Sequence, residues 1–490
     1  MTFFSTLASD ALKHNGRAIA MAEMASFERE KNWQGAADSC QQLLHRYGDD
    51  FFLWDHFVFQ QFQLQQQGRA LVGLAKLLAL KKNYSRGQLY RASALSRVGR
   101  FDEAIENLTD ILCRDDADKK NLCETAINLA MNYHIVGNSE KSLEAIAMAA
   151  QFRDEYGGSE QDVQKRQAFC WLHAGDYKKG FAAYEYRHDQ QDPNYFQQLP
   201  HHKPENRWQG EAITDDILLV AMEQGLGDMI WHARFLPLLQ HKCKKIIVAC
   251  YQELYRLFRS SPMAAGIEVV LSTNRPPPFD KWVRMMSLPH LLGVDQHNVP
   301  QQLPYLWPPV DAAKLPNNYF TQDDNLLRIG LVWQSGDRGL DRANRSCALT
   351  DIATLLEVPG CRFYSFQYES DEHKIKNEIE SLGLGAYIDD TRPLIKDMAD
   401  TASLLQAMDL LITVDTAVAH LMGALRRPVW VLLPFETSWK WHRGAQSIWY
   451  PEVMTLFRQR AVGDWLIPIA EIKTELNNIV AAINQRRTAR

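Results

Sequence analysis

A chain of 490 residues is too long for one hydrophobic core and suits two to four domains. With 46% hydrophobic and 23% charged residues it has the composition of a globular protein rather than of a disordered one. A formal charge of −5 and a pI of about 6.3 exclude a surface built to coat nucleic acid, which needs a clustered excess of Lys and Arg.

Eight cysteines, at 40, 113, 123, 170, 243, 250, 347 and 361, form no CxxC pair and no zinc-type spacing, so no metal site is expected. Buried thiols in a reducing compartment are the plain reading. The first residues, MTFFSTLASDALKHNG, lack a basic stretch ahead of an apolar one, and no run nears the roughly 18 apolar residues of a membrane span. Both point to a cytoplasmic location.

From Ala18 to Asp192 proline is almost absent and apolar residues recur at helical spacing, which predicts an all-helical region over residues 1–192. A short pattern returns within it at Asn32–Ala36, Gly99–Ala104, Gly137–Glu140 and Gly175–Gly180, and a weaker copy falls at Gly68-Arg69-Ala70. Trp33 and Phe101 are 68 residues apart, twice 34, and the later glycines follow at 38. Glycine would close the first helix of each pair in a left-handed cap, and small Ala36, Ala70 and Ala104 would let neighbouring helices approach. The region resembles tetratricopeptide repeats, a solenoid whose concave face suits a protein partner; an irregular helical bundle is the alternative.

Asp192-Pro193 through Lys203-Pro204 is rich in proline and polar residues and marks a junction. Beyond it, β-rich runs at 217–221, 245–249 and 267–270 alternate with helical stretches at 228–240 and 252–259. After Pro300–Pro316 the alternation restarts with runs at 327–333, 362–366, 410–414 and 429–433. Two α/β lobes with parallel sheets are expected, over 193–325 and 326–490, with a C-terminal helix that returns to the first lobe.

In such sheets ligands lie beyond the carboxyl ends of the strands, where helix N-termini present free N–H groups. After the first strand comes Glu223-Gln224-Gly225-Leu226-Gly227-Asp228. Gly225 and Gly227 would allow a tight turn beside a ligand, and Asp228 reads equally as a general base or as a helix-capping carboxylate. The second constellation is Asp415-Thr416-Ala417-Val418-Ala419-His420, between two strands that only a crossover can join. Asp415, Thr416 and Ala417 would stand at a helix start suited to a diphosphate or ribose, and His420 reads as ligand contact or core histidine.

Arg207-Trp208-Gln209-Gly210-Glu211, Glu223–Asp228, Asp415–His420, Pro428–Pro434, Trp449-Tyr450-Pro451, Leu456–Gln459 and Gly463-Asp464-Trp465 together resemble bacterial tetratricopeptide-repeat glycosyltransferases. Their catalytic half is similar to the ADP-heptose:lipopolysaccharide heptosyltransferase family, and the resemblance covers about residues 205–470. It implies a GT-B fold of two Rossmann-like lobes with the site between them, and an inverting, metal-independent transfer without a cofactor beyond the nucleotide-sugar substrate. Asp228 matches the family's base, after Gly225 and Gly227; Asp415, Thr416, Ala417 and His420 match its nucleotide-sugar loop. Gln334-Ser335-Gly336 and Arg342–Ser346 match its phosphate-facing segment, where Arg345 would stabilise a departing diphosphate. Gln367 would read base or ribose, or else cap a strand end.

The chain departs from the family in having Gln334-Ser335-Gly336-Asp337 where a Gly-Asn-Pro is common, in Met422 and Arg426-Arg427, and in His232. The acceptor expected is a protein recruited by the repeats, such as flagellin or another surface protein. A lipopolysaccharide or other glycan acceptor, and a non-catalytic scaffold, are the alternatives. Either transferase reading requires Asp228 and the loop 415–420 to face one another.

Overall fold

The computed structural model describes residues 18–48, 50–187, 204–273, 275–316, 326–336, 340–369 and 371–488. The expected junction from Asp192 to Lys203 lies outside the described residues, as do Asp337 and the segment 317–325 before the expected lobe boundary. The chain divides into two compact units, Met1–Cys170 and Trp171–Arg490.

The first unit is a succession of helices joined by short turns, each packed on the next: residues 18–29, then Trp33–Tyr47, Phe51–Gln63, Gln67–Leu80, Ser85–Arg97, Phe101–Leu112, Lys119–Ile135 and Ser139–Tyr156. Such turns force neighbours to run antiparallel, which is tetratricopeptide-like helical-repeat architecture. The repeat is more regular than its glycines suggest. Left-handed residues close the first helices at Lys31, Gln65, Gly99 and Gly137, with φ of 58°, 59°, 80° and 84°. Lys31, Gln65 and Gly99 are spaced by 34 residues.

The turn expected at Gly68 therefore lies earlier, at Gln65, and Gly68 sits inside the helix Gln67–Leu80. A glutamine carries the positive φ there, so glycine counting misplaces the turn. Ala36, Ala70 and Ala104 are fully buried at equivalent positions, and Ser142 follows them, its hydroxyl donating to the Ala130 carbonyl at 2.9 Å.

The second unit begins before the expected boundary at 192 and takes in the helix Tyr177–Tyr184. The reason is aromatic packing within that unit. Tyr177 lies 5.1 Å from Trp449 and Phe181 lies 5.6 Å from Trp439, ring centre to ring centre. The small-residue position recurs here as Gly180, where a Cβ would lie 2.6 Å from the Leu172 side chain.

The rest of the unit is α/β. Strands β1 (Ile213–Ala221), β2 (Cys243–Cys250), β3 (Ile267–Leu271) and β4 (Lys281–Arg284) form a parallel sheet in the order β3-β2-β1-β4. Strands β5 (Leu327–Val332), β6 (Cys361–Ser365), β7 (Ile388–Asp390), β8 (Leu410–Val414), β9 (Val429–Leu433) and β10 (Met454–Arg458) form a second, in the order β10-β9-β8-β5-β6-β7. This second order is that of a doubly wound sheet, with its reversal between β5 and β8. Central strands such as β8 are buried throughout, which is why they read as unbroken apolar runs.

The helical stretch expected at 228–240 is an α-helix, Leu226–His232, that tightens into a 3₁₀ segment, Ala233–Leu239, around Pro237. The C-terminal helix Leu466–Thr488 packs on the second sheet rather than returning to the first. Ile469, Ile472, Leu476 and Val480 form one stripe on it, and they join Leu355, Phe363 and Ile375 in a single core cluster. All eight cysteines are free thiols.

Candidate active site between the two sheets

The first sheet's switch point falls between β1 and β4, and the chain leaving β1 is held there by Glu223. Its buried carboxylate accepts a bidentate pair from Arg187, at 2.7 and 3.2 Å, and a bond from the Met286 backbone N–H at 3.2 Å, just past β4. Arg187 also binds Glu185, which in turn takes Arg207 and the Ser287 hydroxyl. Burial works against the Glu185 carboxyl ionising, but Arg187 and Arg207 hold it below its ordinary value.

Gln224 follows with φ of +61°, a left-handed conformation that is costly for a residue with a side chain. It turns the backbone so that Gly225 caps the helix Leu226–His232, and its side chain meets the Tyr184 hydroxyl at 3.3 Å. Asp228 then caps the helix and forms an ion pair. One carboxylate oxygen accepts the Gly225 N–H at 3.3 Å and the other takes the ammonium of Lys440, from the loop after β9.

Burial tends to raise the Asp228 carboxyl, but Lys440 beside it leaves it below the usual range, so it is ionised near neutrality. Burial would likewise strip the proton from Lys440; Asp228, and Asp415 beyond it, hold the ammonium above its ordinary value. His232 donates from Nδ1 to the Asp228 carbonyl at 2.7 Å, and burial pushes its pKa down to about 3.

At the reversal of the second sheet, β8 runs into Asp415 and Thr416, and Thr416 is the N-cap of the helix Ala417–Ala424. The Thr416 hydroxyl lies 3.1 Å from that of Thr413. Arg345 meets Asp415 at 3.4 Å. Beside them, the Ser335 N–H donates to the Ser346 hydroxyl at 2.9 Å, which folds the segment after β5 back on itself, and Gly336 is exposed.

Gln367 is committed to the backbone. Its carbonyl oxygen accepts the N–H groups of Trp333 and Gln334 at 3.1 and 2.9 Å, and its amide donates to the Gln334 carbonyl at 3.1 Å. It fixes the loop after β5, as a cap on the strand end would.

The two constellations adjoin. The helix Leu226–His232 packs on the helix Ala417–Ala424, and at Gly227 an added Cβ would lie 3.2 Å from the Ala417 Cα. His420 is buried between them, stacked at 4.7 Å and 17° on Trp441, with Nδ1 3.3 Å from the Tyr450 hydroxyl. Burial, reinforced by the Lys440 charge, keeps its pKa well below the usual value, so the ring is neutral.

Around this contact Trp231, Trp439 and Trp449 pack edge to face at 4.7 to 5.9 Å. Arg234 lies in the same core, 4.7 Å from the Tyr450 ring centre and donating to the Trp449 carbonyl at 2.8 Å. Sequence reasoning did not single out Lys440, Tyr184 or Arg187. Lys440 stands alone among aromatics in a loop, and Arg187 follows a helix assigned to the repeats, so no local pattern marks either.

The fold defines a helical-repeat protein with an α/β unit built on two parallel sheets. No family model matches the sequence. Protein FlbA of Caulobacter vibrioides is 25% identical over 358 residues, which is 66% of this chain; the chain spans 57% of FlbA's length. Among solved structures, MamA (residues 41 to the end) of Desulfovibrio magneticus RS-1 is similar at 17% identity and a TM-score of 0.30, over 35% of this chain and 90% of that one. A thermophilic TPR protein of Thermus thermophilus is similar at 14% identity and a TM-score of 0.30, over 38% of this chain and 96% of that one.

Proposed function

We propose that the chain is an inverting glycosyltransferase of GT-B type that moves a sugar from a nucleotide-sugar donor to a hydroxyl. The observation that carries this reading is that an ionised Asp228 directly follows Gly227, whose backbone packs against Ala417 at the start of the helix Ala417–Ala424. Asp228 takes the proton of the acceptor hydroxyl as its oxygen attacks the anomeric carbon from the face opposite the leaving group. The bond from that carbon to the diphosphate breaks, and the departing charge is stabilised by Arg345 and the N–H groups at the start of the Ala417 helix.

A protein acceptor is favoured over a glycan by the repeat unit, whose groove lined by Leu44, Trp54, Phe57, Arg69 and Val72 pairs apolar surface with a cation. Free thiols suit a reaction in a reducing compartment such as the cytoplasm. Among the described residues no helix is long and apolar enough to cross a membrane.

The test is to incubate the purified chain with a panel of nucleotide sugars and follow release of free nucleotide, for native protein and Asp228→Ala. Release or transfer by the native protein alone supports the reading. Equal rates remove Asp228 from the mechanism, and no turnover with any donor or acceptor leaves the scaffold reading. Mass spectrometry of surface proteins from cells lacking the chain separates the acceptors: unchanged glycan masses on every protein exclude a protein acceptor.

A further inference from the structure

We propose that Lys440 is the donor-diphosphate cation of this site, and that its pairing with Asp228 is the resting arrangement which donor binding breaks to unmask the base. This rests on the glycosyltransferase reading above. Lys440 lies on the loop after β9, so it belongs to the same sheet as Asp415 and Thr416, yet its ammonium crosses to the Asp228 carboxylate on the first sheet's helix. Only 16% of its side chain and 20% of that of Asp228 is exposed.

A carboxylate bound to an ammonium is a poor proton acceptor, because the lone pair that would take the acceptor's proton is engaged and stabilised. The pair as it stands therefore opposes the role assigned to Asp228. Charge balance supplies the resolution. Asp228 and Asp415 are matched by Lys440 and Arg345, while His232 and His420 are held neutral by burial and contribute nothing.

A diphosphate arriving at the Ala417 helix brings further negative charge beside Asp415, and a partly buried anion needs a cation or it binds poorly. Lys440 already feels Asp415 and sits on a long flexible stem, so it can turn to the diphosphate without moving its loop. That turn leaves Asp228 ionised and free. In the transfer step the acceptor's proton goes to Asp228, and the oxygen–carbon bond forms as the carbon–diphosphate bond breaks. The electron pair stays on the diphosphate oxygen, facing the Lys440 ammonium.

The experiment measures binding of UDP, GDP, ADP and TDP, and of the corresponding nucleosides, to the full chain without added metal. Titration calorimetry serves the diphosphates and ligand-observed NMR the nucleosides. For whichever nucleotide the native protein selects, Lys440→Met weakens the diphosphate tenfold or more and leaves the nucleoside unchanged. Lys440→Arg restores part of the loss, and Asp228→Asn tightens the diphosphate severalfold because the ammonium loses its competing partner.

Unchanged diphosphate binding by Lys440→Met, or an equal loss of diphosphate and nucleoside, overturns the proposal and leaves Lys440 as a structural ion pair. So does an Asp228→Asn variant that binds no more tightly than native. Failure of the native chain to bind any nucleotide would sink the parent reading itself, a different result from failure of the lysine variant alone.

Discussion

A Cβ built on Gly227 would lie 3.2 Å from the Ala417 Cα, so the N-terminal turns of two helices meet here with no room for a side chain between them. Its other near neighbour is the His420 ring, at 3.3 Å. The backbone of Ala417 cannot swing aside as a flexible side chain would, so any side chain at 227 acts as a wedge. Gly227→Ala is expected to cost about 1–2 kcal/mol and Gly227→Val about 3 kcal/mol, by overpacking. Both variants should also lower nucleotide release tenfold or more. Thermal unfolding alongside the nucleotide-release assay checks this; a Gly227→Val protein as stable and active as native would show that the two turns do not meet.

Arg187 is expected to be essential to the second unit although it follows a repeat-like helix. Arg187→Met leaves Glu223 buried without its guanidinium and should destabilise by about 3–5 kcal/mol, while Glu223→Gln in the same chain should recover part of the loss. Denaturant unfolding of the three proteins measures it. By the same reasoning, a fragment starting at residue 171 should fold and one starting at residue 204 should not, as judged by near-ultraviolet circular dichroism.

Stability should fall on mild acidification. His232 is buried with a folded-state pKa of about 3, and His420 is depressed in the same direction. Unfolded, each binds a proton near pH 6.5, so between roughly pH 6.5 and pH 3 the unfolded chain holds more protons than the folded one. Stability therefore rises with pH across that window, by up to about 1.4 kcal/mol per pH unit for each histidine. Replacing His232 by Gln should reduce the slope by about half, measured as the denaturation midpoint at pH 5, 6 and 7. An unaltered slope would place the titrating groups elsewhere.

In the repeat unit, Gln65→Gly should stabilise by about 0.5–1 kcal/mol, since glycine adopts the left-handed conformation found there without the penalty of a side chain. Gly68→Ala, inside a helix with open space around it, should stabilise by a similar amount. A Gln65→Gly variant less stable than native, by thermal melting, would count against the 34-residue frame.

Most of the architecture is legible in the chain because local physics writes it there. Buried parallel strands must be apolar on both faces, so β8 and β9 show as nearly continuous apolar runs and β1, β2 and β5 as shorter ones in their buried halves, and helix starts must be capped, so Asp228 and Thr416 stand out beyond the ends of β1 and β8. The short strands β4 and β7 and the left-handed Gln65 have no such signature. Their conformations depend on neighbours far along the chain.

What the sequence by itself determined was the order of helical repeats and α/β elements and which loops carry polar residues, since these depend on spacing and residue type alone. The tertiary structure decided who meets whom across distances in sequence that no periodicity spans. Lys440 neutralises Asp228, Gln367 serves the backbone of its own sheet, and Arg187 belongs to Glu223. A buried charge takes whichever partner the packing brings within reach, and packing is a property of the folded chain.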